Sequence, residues 1–88
     1  MFRLWAKKWK ENRLLEDMTV EDDSPDTRTH KVFRALEKVC YEFDLEKPIW
    51  LDANIEEFKR HARTRFTEDS FIERINFDFL EIQIIEED

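Results

Sequence analysis

Near the amino terminus two cations alternate with two tryptophans: Arg3, Trp5, Lys7 and Trp9. In an extended chain that spacing puts all four side chains on one face. There the cations can neutralise phosphates and the indoles can stack on bases, which is how single-stranded nucleic acid is held. The same stripe serves equally as an interaction face toward a second subunit or another protein. It can also be covered within the chain, by Trp50 and Phe66 or by the acidic last segment through Glu81. A second group, Lys59, Arg60, His61, Arg63 and Arg65, is the densest basic cluster in a chain of net charge -7. It is a candidate anion-binding site for a phosphate or an acidic partner. Near the C-terminal end of a helix, however, the helix dipole favours such cations with no ligand present.

The reactive side chains are few. Cys40 falls on the apolar stripe of a helix, where a thiol is a small core side chain with its pKa raised by burial. His61 sits among Lys59, Arg60, Arg63 and Arg65, and those neighbouring cations favour its neutral form. It could then act as a general base while Arg60 or Arg63 grips an anionic substrate, but only beside a concave pocket; a solvated helix histidine is the plainer reading. His30 lies on a partly polar helix face. Asp22, Asp23 and Asp26 lack the turn glycine and downstream glutamate of a calcium loop, and the histidines and cysteine show no zinc spacing. No metal or cofactor is therefore expected. The chain contains no glycine, which removes phosphate-cradling loops, dinucleotide fingerprints and nucleophile elbows together. Where the backbone needs positive φ, Asn12, Asn54, Asn76 and the aspartates are the expected substitutes.

The elements that must position these groups follow from hydrophobic periodicity. Phe2, Leu4 and Ala6 alternate with the stripe, and Leu14, Glu16, Met18 and Val20 alternate with Leu15, Asp17 and Thr19. A β-hairpin over residues 2 to 21 is expected, turning at Lys10-Glu11-Asn12-Arg13. Asp22 to Asp26 breaks the pattern and starts a helix, with Ser24 or Asp23 as cap and Pro25 in the first turn. Val32, Phe33, Leu36, Val39, Cys40 and Phe43 form its buried face. Ile49-Trp50-Leu51 reads as a short strand or an ordered loop. Asp52 or Asn54 caps a second helix with Ile55, Phe58, Ala62 and Phe66 inward. Phe71, Ile72 and Ile75 suggest one or two further helical turns, and Phe77 to Glu86 alternates as a last strand. The chain is thus read as a single α+β domain over residues 1 to 88: a small, mainly antiparallel sheet with two main helices on one face.

Eighty-eight residues suffice for one core, which the eight phenylalanines and three tryptophans fill. Charge is uneven: residues 1 to 15 carry five bases and one acid, whereas residues 66 to 88 carry one base and eight acids. The two ends can attract each other, which reduces the need for an external partner. No apolar run is long enough to span a membrane or to form a signal peptide. The chain is therefore read as cytoplasmic, and the single Cys40, which cannot form an internal disulfide, agrees with a reducing compartment. The residues do not disclose a function. The preferred expectation is a small non-enzymatic protein acting by protein association, as a homodimer or with another protein, through the Trp5/Trp9 face and the free edge of the last strand. The alternative is a nucleic-acid or phosphate-binding module using the stripe or the basic cluster, against which the net acidity counts.

Overall fold

The computed structural model describes residues 1–87; Asp88, the end of the acidic tail, lies outside the described residues. Strands β1 (Phe2–Lys10) and β2 (Arg13–Asp22) form the expected hairpin. Its two-residue turn has Glu11 and Asn12 both at positive φ, 51° and 63°, the turn whose twist matches that of the flanking strands. Asn12 was expected there. Glu11 is held in place by its backbone N–H, which donates to Asp78 Oδ2 at 2.8 Å. Trp9 pairs with Leu14 and Lys8 with Glu16, leaving Leu15 as a bulge residue.

Helix α1 (Arg28–Glu42) starts three or four residues later than the sequence suggests. Thr27 is the N-cap, its hydroxyl accepting from the His30 N–H. Pro25 lies in the preceding loop, because the acids there serve another purpose: Asp22 and Asp26 grip Arg34 at 2.7 and 3.0 Å, and Asp22 also accepts from the Ser24 N–H. The helix ends with Asp44 at φ 56°, the Leu45 N–H reaching back to the Cys40 carbonyl at 2.8 Å. This is the stop that glycine usually makes, here made by an aspartate.

Residues 49 to 51 are not a strand. They run as a connection whose Ile49 N–H donates to the Ser70 carbonyl. Helix α2 (Asp52–His61) has Leu51 as its N-cap, and Asn54 Oδ1 accepts from the Leu51 N–H at 3.0 Å. Asn54 is the third helical residue and not the cap. The chain reverses at Ala62, φ 54°, and enters β3 (Arg63–Phe66), a strand the periodicity did not reveal. A 3₁₀ turn, Glu68–Ser70, is the only helical piece that follows among the described residues; Phe71 is already extended. Strand β4 (Phe79–Glu86) completes an antiparallel sheet in the order β2-β1-β4-β3.

Both helices lie on one face of the sheet, as expected of this α+β arrangement. Phe2, Leu4, Ala6, Val20, Phe66, Leu80 and Ile82 meet Val32, Ala35, Leu36, Val39 and Cys40 of α1 and Phe58 of α2. The buried Asn54 amide donates to Thr64 Oγ1 and the Arg65 carbonyl, both at 2.9 Å, fastening α2 to β3.

Candidate functional site

The molecule presents two candidate surfaces: the open sheet face and a groove between the helices. The open face carries the predicted stripe. Arg3, Trp5, Lys7 and Trp9 lie opposite Phe2, Leu4 and Ala6, since β1 is extended throughout. Cross-strand register sets Asp17 of β2 and Glu81 of β4 on either side of Lys7. Trp5 Nε1 donates to Asp17 Oδ2 at 2.8 Å, and Lys7 Nζ stands 3.9 Å from the centre of the Trp5 ring. Arg3 bridges Glu21 and Glu86 at 3.0 and 3.1 Å.

Glu81 is the hub of this face. Its Oε1 accepts from Lys7 Nζ and Trp9 Nε1, each at 3.2 Å, and its Oε2 from Arg65 Nε at 3.4 Å. The side chain is only 7% exposed. Burial by itself would raise its pKa, but the Lys7 bond and charge, with Trp9 and Arg65, outweigh burial and hold the carboxyl below the ordinary glutamate range. The indoles are therefore engaged within the chain, Trp9 by the last strand through Glu81 and Trp5 by β2 through Asp17. Trp50 and Phe66 take no part in covering them, because they pack on the helix side, ring to ring at 4.9 Å. Nor does the last strand offer a free edge over its paired length: β4 lies between β1 and β3, and the sheet's edges are β2 and β3.

The basic cluster is divided by the reversal at Ala62. Lys59, Arg60 and His61 form the last turn of α2, where the helix dipole favours them. Arg63 and Arg65 belong to β3, opposite Gln83 and Glu81 on the open sheet face. His61 is exposed, an ordinary surface imidazole. His30 is exposed too, its ring nitrogen 2.9 Å from Asp26. Cys40 is buried, and burial pushes its thiol up to about 11, which makes it a core side chain and a poor nucleophile at neutral pH.

The second surface was missed by the periodicity. Val32 and Phe33 of α1, Trp50 of the connection and Ile55 and Phe58 of α2 line an apolar groove of about 340 Å³, with Arg28, Thr29 and Lys59 as its polar members. Phe33 was expected to be buried with Val32. It is instead 50% exposed, and Ala35 takes its place in the core. Ile55, also expected inward, is 39% exposed. Trp50 organises the groove by standing edge-on to Phe33 at 6.1 Å and Phe58 at 5.5 Å, the geometry that aromatic quadrupoles favour. The Arg28 guanidinium lies 5.5 Å from the Phe58 ring centre, and its Nε is 3.1 Å from Glu87 Oε2. Spacing within each helix carries no signal for it: Phe33 adjoins Val32 on the α1 stripe, and Ile55 stands three residues before Phe58 on that of α2.

No helix of the described residues is long and apolar enough to cross a membrane. No protein-family model, curated protein or solved structure matches the chain, so its own geometry carries the functional argument.

Proposed function

We propose that this chain is a non-enzymatic binding domain that acts by association with another protein, and that the groove between α1 and α2 is its docking surface. The observation that carries this reading is Phe33, a half-exposed aromatic side chain standing over Trp50 beside Ile55. Completing the burial of such a ring contributes about 1 kcal/mol or more, and concave apolar surface with few polar members is where binding energy concentrates. The Trp5/Trp9 face is a weaker docking surface than the sequence suggests, since each of its four residues already bonds to a carboxylate of a neighbouring strand.

That bonding also weakens the alternative of a nucleic-acid or phosphate module. A polyanion laid on the open face would meet Asp17, Glu21 and Glu81 and would have to displace Glu21 and Glu81 from the cations they hold. A homodimer paired edge to edge through β2 would set Glu16, Asp17, Glu21 and Asp22 against the same acids of the second copy, an arrangement that discourages pairing. A second copy docking through the groove remains within the proposal, as does a cytoplasmic location, supported by the lone buried thiol.

The test is binding of fluorescently labelled amphipathic helical peptides, followed by anisotropy, together with sedimentation over a concentration series. The expected result is saturable association, with peptide or with a second copy, that Phe33→Ser abolishes while leaving the melting temperature nearly unchanged. Association that survives Phe33→Ser but is lost on Trp5→Phe or Trp9→Phe would overturn the assignment to the groove.

A further inference from the structure

We propose, resting on the reading of the groove as a docking surface, that its partner is an acidic amphipathic segment, and that Glu87 of this chain is the carboxylate such a partner displaces. The charge on the groove is opposite in sign to that of the molecule. In a chain of net charge -7, the only charged residues lining it among the described residues are Arg28 and Lys59. Lys59 forms no ion pair among the described residues, so one of the two cations stands ready for a carboxylate. Arg28 already holds one. Its Nε lies 3.1 Å from Glu87 Oε2, although both side chains are close to half exposed. That contact sets a carboxylate beside the groove, within reach of its cationic end.

The position of Arg28 strengthens the point. It is the first residue of α1, and the first turn of that helix contains no acid. A cation there faces the positive end of the helix dipole, an unfavourable pairing that a nearby carboxylate relieves. Glu87 is the residue after β4 ends at Glu86, so it reaches Arg28 from the end of a strand and is not itself fixed in the sheet. A pair so exposed is held weakly and can be exchanged. A partner with large apolar side chains on one face and carboxylates beside them would fill the space around Phe33, Trp50 and Ile55. Its acids would pair with Lys59 and take Arg28 from Glu87. The volume of the groove limits the anchors to about two large side chains. A basic segment of the same apolar pattern would set its cations against Arg28 and Lys59.

Three synthetic helix-forming peptides with one leucine pattern, and Glu, Gln or Lys at every other position, serve as probes for the full chain. The Glu peptide is expected to bind about fivefold more tightly than the Gln peptide and the Lys peptide more weakly than either, as two exposed ion pairs imply. The difference should shrink with added salt. Arg28→Gln with Lys59→Gln should erase the preference while leaving affinity for the Gln peptide in place. Glu87→Gln should raise affinity for the Glu peptide severalfold and leave the Gln peptide unaffected. Equal binding of all three peptides, or a preference that persists in the double variant, overturns the acidic-partner proposal while the docking groove stands. Failure of every peptide to bind, or binding indifferent to Phe33→Ser, overturns the groove itself.

Discussion

Replacing Glu81 by glutamine removes a charge and leaves the shape of the open sheet face intact. The Lys7 side chain, whose Nζ lies 3.2 Å from Glu81, is itself only 11% exposed, so the substitution leaves a largely buried lysine without its counter-charge. Trp9 Nε1 keeps an oxygen to donate to, and Arg65 reaches solvent. The loss is therefore dominated by Lys7. Breaking one partner of such a pair costs about 3 kcal/mol, which in a domain of this size lowers the melting temperature by roughly 15 °C. The pH dependence follows with a definite sign. The folded pKa of Glu81 lies below the ordinary 4.5, so its stabilisation is fully present above 4.5 and is lost as pH falls through the folded value. Urea denaturation of the wild type and Glu81→Gln between neutral pH and strong acid measures both effects: the gap should be widest near neutrality and should narrow only below 4.5. Adding Lys7→Met to Glu81→Gln should restore part of the lost stability, since no unpaired charge then remains. A Glu81→Gln variant that melts within a few degrees of wild type, or a double variant no more stable than the single, would refute the account of Glu81 as the hub of that face.

Other outcomes follow from single positions. Ala62 holds φ 54° at the end of α2, so Ala62→Gly should raise stability by about 1 kcal/mol, and an unchanged or lowered denaturation midpoint would contradict the argument from backbone strain. Asn54→Ala strands the Leu51 N–H, the Thr64 hydroxyl and the Arg65 carbonyl together; calorimetry should show a loss of about 3 kcal/mol. Cys40, with its thiol pushed up to about 11, should resist alkylation at neutral pH in the folded chain and react fully in denaturant, and rapid labelling of the native protein would contradict its burial.

The parts of the fold that sequence reading reached are those whose physics is local. Period-two alternation around Trp5 and Trp9 and a turn at Asn12 placed the hairpin, and three-four spacing from Val32 to Phe43 placed α1. What was hidden depended on distant partners. Strand β3 has four residues, two of them arginine, and becomes a strand because β4 supplies its hydrogen bonds. Its start was masked because Ala62 turns the chain where a glycine would have announced the turn. The exposure of Phe33 is decided by where Trp50 and α2 come to lie, which no pattern within α1 records. Of the candidate groups, the stripe was placed on the right face. Its closure by Glu81 was among the alternatives, whereas the basic cluster was divided by a reversal that the helix pattern did not show.

The three indole N–H signals of a ¹⁵N-labelled chain test the central claim most directly. Titrated with the acidic amphipathic peptide, the Trp50 signal should move, while those of Trp5 and Trp9, held by Asp17 and Glu81, should stay in place. Movement of Trp5 and Trp9 with Trp50 unaffected would put the binding surface on the sheet and contradict the account.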